Sequence, residues 1–438
     1  MVVTQSLPPD VRSCLRALFE AAVAAVSADA VVPSGLPAPP RGRTVVVGAG
    51  KAAAAMARAV ERHWRGPLSG LVVTPYGHAV PCRRVLVVEA AHPLPDESGR
   101  AAAADIVTRV AGLTGDDLVL CLLSGGASSL LALPAAGVDL ADKREVSAAL
   151  LRSGAPISAI NCVRKHLSAI KGGRLAAAAW PAPVHTLIIS DVPGDDPAVV
   201  ASGPTIADPT TFRAALDVIA RYAIAAPPGV VAHLRAGAAG GAGAPRETLK
   251  PGDRRLSRAR TVTLATAADA LAAAAAAARR RGLRAVVIGE AIEGEARDVG
   301  RRHAELVAAL LDRRAVDRAP TVLLSGGETT VTVRGDGQGG RNTEYLLGLA
   351  LALDGRPGID ALAADTDGID GSRDNAGAFI GPDTLRRAVA AGLDARTILS
   401  RNDAYTLFAR LGDLFVTGPT LTNVNDLRAI LIAGADRP

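Results

Sequence analysis

The chain has 438 residues, space for roughly two or three domains, and 49% of them are hydrophobic, which excludes disorder as its main state. Only 3% are aromatic, which leaves Ala, Val, Leu and Ile to fill the core and counts against a base-stacking reader of nucleic acid. The net charge of +6 is spread as arginines in ones to threes with no long basic block, a mild excess that suits an anionic small substrate as well as it suits a polyanion.

Residues 11–26 place apolar side chains at helical spacing behind Pro8 and Pro9 and predict a helix. The opening stretch MVVTQSLPPDVR has no basic region followed by an apolar run, so no secretory signal is expected. Ala-rich stretches such as 270–278 are too short to span a bilayer, so the expected location is cytoplasmic, with no membrane partner. After a Pro-rich connector, short β-branched runs at 44–47, 71–74, 85–88, 118–123 and 186–190 alternate with helical segments. That alternation predicts a Rossmann-like, mainly parallel sheet with helices on both faces. Segment 226–253 breaks the composition, and its GAAGGAGAP core is expected to be mobile. Further runs at 261–265, 285–288, 321–324, 360–364 and 413–416, with one more at 427–433, predict a second α/β domain. The expected domains are 1–250 and 251–438. Cys14, Cys82, Cys121 and Cys162 lie far apart without a CxxC pair, against a disulfide scaffold or structural zinc.

Five polar clusters follow apolar runs, where strand ends of open α/β sheets bind ligands. In the first, Gly48 and Gly50 let backbone amides approach an anion, and Lys51 adds a cation at the start of a helix. The turn matches a dinucleotide pattern, but Thr74-Pro75-Tyr76 stands where its acidic ribose partner belongs. In the second, the Ser124-Gly125-Gly126 turn and the Ser128 hydroxyl form an anion-binding concavity. The third carries Asp191, Asp195 and Asp196. Asp191 directly follows its strand and is placed to hold Mg²⁺ or accept a hydroxyl proton, whereas Asp195 and Asp196 read equally well as turn formers. The fourth echoes the second, Ser325, Gly326, Gly327, Glu328 and Thr329, and continues to Arg341, Asn342 and Glu344 behind a glycine-rich loop, 334–340, with the composition of a lid. An arginine opening a helix there suits a transferring phosphoryl group. The fifth, Asp365 to Gly371, fails as an EF-hand because Ile369 and Ala376 occupy ligand positions; Asp365 and Asp367 remain candidates for magnesium-nucleotide or substrate binding. Asn423, in a later polar loop, is a further candidate donor. Only five basic residues are lysine, and three of them, Lys51, Lys165 and Lys171, fall in glycine- or hydroxyl-rich stretches suited to anions.

Taken together, VVVGAGKAAAAMA, HPLPDESG, LLSGGASSLL, INCVRKHLSAIKGGRLA, ISDVPGDDPAVVASGPT, LLSGGETTV, GGRNTEYLLGLAL, ADTDGIDG and TGPTLTNVND resemble, in order, the glycerate 2-kinase family, whose C-terminal segment is the MOFRL domain. The resemblance runs from about residue 11 to 433. It implies two α/β domains, the second a mixed-sheet MOFRL-type domain with its MOFRL-like segment at 320–433, flanking an interdomain cleft. It also implies transfer of a phosphoryl group from ATP, with Mg²⁺, to the 2-hydroxyl of D-glycerate. Carried over by position, Lys51 and Arg341 are the catalytic residues, and Asp191 lies near the accepting hydroxyl. Gly48, Gly50, Ser124, Gly125, Gly126 and Ser128 then bind substrate or phosphate. Ser325, Gly326, Gly327, Glu328, Thr329, Asn342, Glu344, Asp367 and Asn423 bind the nucleotide, and Asp191, Glu328 and Asp365 hold the metal. The partners are small molecules, without nucleic acid or membrane, and a homodimer is compatible with this. The chain departs from the family at Thr266 to Asp269, where relatives carry an Asn and a basic residue that touch the nucleotide. The alternatives are an NAD(P)H-dependent hydroxypyruvate reductase using Gly48–Ala53, and a non-catalytic sensor of sugar acids or nucleotides.

Overall fold

Every residue of the runs at 44–49 and 118–123 is buried. Because successive side chains of a strand point to opposite faces, each run is covered on both sides. They are the centre of the first sheet, built from β1 (Thr44–Ala49), β2 (Leu68–Pro75), β3 (Val85–Ala90), β4 (Leu118–Leu123), β5 (Val184–Ile189) and β6 (Ala259–Ala265) in the order β3-β2-β1-β4-β5-β6. The pairs from β3 to β5 are all parallel, so the carboxyl ends of β1, β4 and β5 lie side by side along one edge.

The second sheet is mixed. Its strands are β7 (Arg284–Gly289), β9 (Thr321–Gly327), β11 (Ile359–Asp365), β12 (Gly377–Ile380), β13 (Leu414–Phe415) and β14 (Asp426–Ile432), ordered β13-β12-β11-β14-β9-β7, while β8 (Gly294–Glu295) and β10 (Thr329–Thr330) form a separate parallel pair. Only β7 and β9 pair in parallel; β9, β14, β11, β12 and β13 alternate in direction. The computed structural model describes residues 10–312, 319–371 and 373–433; the first nine residues, part of the stretch read for a secretory signal, lie outside the described residues.

The chain divides into two units, Ala28–Leu264 and the flanking chain on either side of it. This departs from the division expected at 250. Strand β6, expected to begin the second domain, adds to the edge of the first sheet. The helix Val11–Ala25 packs on the helix Ala267–Arg280 within the flanking unit, so the first described residues belong with the last. Segment 226–253 is also more ordered than its composition suggests. Residues Pro228–Ala239 are a helix, and Gly237 leaves no room for a side chain against the Phe212 ring. Leu249 is buried; its amide donates to Gly172 O at 3.0 Å, and its carbonyl accepts from the Asp208 amide at 2.7 Å. Gly237 thus serves close packing, whereas Gly240, Gly241 and Gly243 take positive φ and meet nothing within 4 Å.

Candidate active site

At the carboxyl edge of the first sheet two turns meet. The Lys51 amide donates to Gly125 O at 2.8 Å, and the Ala52 amide donates to the Ser124 hydroxyl at 3.0 Å. Gly50 has φ +133°, and a side chain there would strike Ser124, so only glycine lets the β1 and β4 turns touch. Gly126, at φ +81°, lies against the His92 ring and beside the Lys51 stem. Asp191 leaves β5 at the same edge, one residue after buried Ser190. Lys51, the Gly125–Gly126 turn and Asp191 are thus gathered by three adjacent parallel strands. Other expected residues have structural duties here. Gly48 lies within β1, pressed on the Leu122 backbone. The Ser124 hydroxyl is buried and accepts from the helix start. The Asp195 amide closes a turn onto Val192 O, and Asp196 accepts from the Ala198 amide at 2.9 Å, so both shape the turn.

In the other unit, Arg341 is the first residue of the helix Arg341–Leu353. Its Nε donates to Asp426 at 2.8 Å, one terminal nitrogen donates to Asp365 at 2.6 Å, and the other lies 3.2 Å from Glu328. Asp365 and Asp426 have 2% and 0% side-chain exposure, whereas Glu328 has 48%. Burial works against the charge of Arg341, but Asp426, Asp365 and Glu328 outweigh it and hold its pKa well above the ordinary arginine value. Asp426 also accepts from Asn342 Nδ2 at 2.8 Å and from fully buried Arg428 at 2.6 Å. Behind the helix start, Asp370 accepts from the Asn342 and Thr343 amides, each at 2.9 Å. Burial pushes its pKa up to about 6 against those bonds. Thr329, Arg341, Glu344 and the backbone of Gly339 and Gly340 line a cavity of about 270 Å³.

The echo between the two Ser-Gly-Gly runs does not extend to structure. The first is a strand-to-helix turn; in the second, Ser325, Gly326 and Gly327 lie inside β9, paired with Arg428, Leu427 and Asp426. Gly327 has φ +104° and admits the backbone of Ile292. The lid-like loop 334–340 is stapled down. The Arg334 and Gly335 amides donate to Asn402, the Gly337 amide to Arg401 O, and the Gln338 amide to Asp403. Glu344 lines the cavity, yet its carboxylate is taken by Arg297 and Asn402. Asp367 accepts from the Ile369 amide and Asn423 from the Asn425 amide, so both shape their own turns. The departure at 266–269 forms a capping box, with the Thr266 amide and hydroxyl on Asp269, each at 2.9 Å.

Sequence reasoning did not single out Asp426, Arg428 or Asp370, although Asp370 lay within the fifth cluster. Asp426 carried one signal, an acidic residue opening an apolar run.

Glu328, Asp365 and Asp426 are the hard oxygen donors magnesium takes, yet they converge on a guanidinium. Among the described residues no group of three or more His, Cys, Asp or Glu is arranged to hold a metal. Magnesium is usually held by one or two carboxylates beside phosphate oxygens, so this donor set fits a cation arriving with a polyphosphate and not an all-protein cage. All four cysteines are free thiols, and burial pushes that of Cys121 up to about 12. Among the described residues no helix is long and apolar enough to cross a membrane.

Comparison with known proteins covers nearly the whole chain. A model described as a domain of unknown function, DUF4147, matches residues 14–235, and the MOFRL family model matches residues 321–426. A protein of Agrobacterium vitis with the provisional name hydroxypyruvate reductase is 54% identical over 96% of this chain and 94% of its own length. The D-glycerate 2-kinase of Thermotoga maritima is 37% identical over 96% of this chain and 98% of its own. The crystal structure of glycerate kinase from that organism superposes with a TM-score of 0.85 at 37% identity, covering 97% of this chain and all of that one.

Proposed function

Since this chain belongs to the glycerate 2-kinase family, with its MOFRL domain, we propose that it transfers the terminal phosphoryl group of ATP to the 2-hydroxyl of D-glycerate, giving 2-phosphoglycerate and ADP. The observation that carries this is the pairing of Lys51 with the Gly125–Gly126 turn at one sheet edge, in a chain similar end to end to a D-glycerate 2-kinase. Phosphoryl transfer needs positioning and charge stabilisation more than covalent chemistry.

The glycerate carboxylate sits on the turn after β4, and Lys51 neutralises carboxylate or phosphate charge. Asp191 orients the 2-hydroxyl and receives its proton as the oxygen bonds to the γ-phosphorus and the bond to the β-phosphate oxygen breaks. Arg341 keeps Asp365 and Asp426 as its anchors and exchanges exposed Glu328 for γ-phosphoryl oxygens. Asp191, Glu328 and Asp365 are the carboxylates of which one or two would hold a magnesium ion arriving with the nucleotide's phosphates, which would supply further charge neutralisation. The 270 Å³ cavity beside Thr329 and Arg341 takes part of the nucleotide.

The names of the Agrobacterium relatives favour a second possibility, NAD(P)H-dependent reduction of hydroxypyruvate. Against it, β2 ends in Thr74, whose hydroxyl donates to Gly50 O at 3.2 Å, and in Pro75, so the acidic ribose partner of a dinucleotide turn is missing there. One purified preparation distinguishes them. D-glycerate and ATP should yield ADP and 2-phosphoglycerate. Formation of 3-phosphoglycerate would overturn the 2-hydroxyl as acceptor, and loss of nicotinamide absorbance with hydroxypyruvate and no ADP from glycerate would overturn the kinase assignment.

A further inference from the structure

Beside the turn after β4 lies a hydrogen-bonded chain whose proton order can be worked out. Asn161 is buried, and its amide nitrogen donates to Val199 O at 3.4 Å, which turns its Oδ1 toward Ser202. Ser202 Oγ donates to that oxygen at 3.0 Å. Having spent its only proton there, Ser202 must accept in its second contact, the 2.9 Å pair with Ser128 Oγ. Ser128 is therefore the donor of that pair. Having given its proton to Ser202, the Ser128 hydroxyl, on a partly exposed side chain, keeps both lone pairs for accepting.

The backbone that delivers Ser202 is strained. Ala201, Ser202 and Gly203 have φ of 55°, 60° and 58°, three successive left-handed residues of which two carry side chains. Such a conformation is unfavourable for each non-glycine residue and persists only where its surroundings impose it. Here they do. The Ser202 amide donates to Val199 O at 3.0 Å, the Gly172 amide to Ser202 O at 3.2 Å, and the Gly173 amide to Gly203 O at 2.8 Å. Lys171, 1% exposed, completes the clamp: its Nζ donates to Ser128 O at 2.9 Å and Ala201 O at 3.2 Å, joining the two segments whose hydroxyls meet. Among the described residues no carboxylate pairs with Lys171. Burial, then the charges of Lys143, Arg164 and Lys165, lower its pKa well below the ordinary lysine value. An ammonium so placed is costly to retain and has no packing role that an apolar residue would not fill better.

We propose that Ser128 is a specificity residue that accepts a hydrogen bond from the second hydroxyl of a small dihydroxy acid, and that Asn161, Ser202 and Lys171 position it by taking its proton and clamping its backbone. This rests on the kinase role above, which brings the substrate's carboxylate to the same turn. The consequence is discrimination between D-glycerate and D-lactate, which share the carboxylate and the 2-hydroxyl and differ in the second hydroxyl alone. A site built to pair a hydroxyl rejects the analogue that lacks it far more strongly than an apolar pocket rejects an added one.

The test is the ratio of kcat/KM for D-glycerate to that for D-lactate, in the wild type and in the Ser128→Ala, Ser202→Ala and Lys171→Met variants. A preference of about a hundredfold or more in the wild type is expected, shrinking by about tenfold in Ser128→Ala and Ser202→Ala through loss on glycerate alone. The KM for ATP should stay constant. A merely structural role lowers both rates together and leaves the ratio unchanged; that result, or a wild type indifferent to the two acids, overturns the proposal. Should Lys171→Met fail to fold, the two serine variants decide. An enzyme that turns over neither acid sinks the kinase assignment instead. Calorimetric binding of the same two acids then decides the subsite, equal binding or no binding by the wild type overturning it.

Discussion

Asp365 and Asp426 stand directly opposite one another in the antiparallel pair β11–β14 and grip the same guanidinium, that of Arg341, at 2.6 and 2.8 Å. Two buried carboxylates so close are tolerable only with a cation between them. Arg341 is thus both a candidate for phosphoryl contact and the counterion that lets two strand ends coexist.

Replacing Arg341 by Ala should therefore cost stability as well as turnover. Breaking a buried pair by removing one partner typically costs on the order of 3–5 kcal/mol, and Arg341→Lys, which keeps charge and loses the fork, should cost less. Chemical denaturation of the two variants beside the wild type measures this. An Arg341→Ala midpoint equal to that of the wild type would show that the carboxylates do not depend on it.

Lys51→Ala should behave differently. The turn is held through the Lys51 amide on Gly125 and the Ala52 amide on Ser124, neither of which involves the Lys51 side chain. Turnover with D-glycerate and ATP should fall by about 10²–10³-fold, the usual loss for one charge-stabilising donor, with an unchanged melting temperature. Near-normal rates would remove Lys51 from its role.

Gly50→Ala should separate the two turns. At φ +133° and pressed on the Ser124 backbone, position 50 admits a side chain only if the β1 and β4 loops part. A stability loss of about 2 kcal/mol or more is expected, as for other strained or overpacked sites, together with loss of activity. A fully active, equally stable Gly50→Ala enzyme would mean that the turns need not touch.

Lys143 ties stability to pH. It is buried, and its ammonium donates to Leu133 O at 3.3 Å. Burial, then the charges of Arg164 and Arg174, lower its pKa to about 7 from 10.5. Between those values the unfolded chain holds a proton that the folded one has released, so this contribution to stability rises with pH from about 7 to 10 and is lost as pH falls toward 7. Lys143→Met should be more stable than the wild type at pH 7, and the gap should narrow toward pH 10. Denaturant titrations of both proteins across that range check the sign, and a gap constant with pH would refute it.

Much of the frame was legible because burial on both faces writes itself as uninterrupted apolar runs. Thr44–Val47 and Leu118–Leu123 were read as strands from that alone, and both became sheet centres. Gly377–Ile380 escaped notice because four residues, one of them glycine, carry too short a pattern. The lid-like composition of 334–340 misled because glycine there allows close backbone approach to Arg401–Asp403, a cause that composition does not separate from flexibility.

What the sequence alone determined was local: which segments extend, which coil, and which polar clusters follow strand ends. Those properties depend on neighbours within a few residues, so Lys51, Asp191 and Arg341 could be put forward as candidates without coordinates. Partnership was decided by tertiary structure. That β6 joins the first sheet, that Val11–Ala25 packs on Ala267–Arg280, that Asp426 answers Arg341 and that Ser202 answers Ser128 are matters of contact between distant segments. Hydrogen bonds and ion pairs are satisfied by whichever group folding brings within about 3 Å, and one chain read in order carries no distance between its ends.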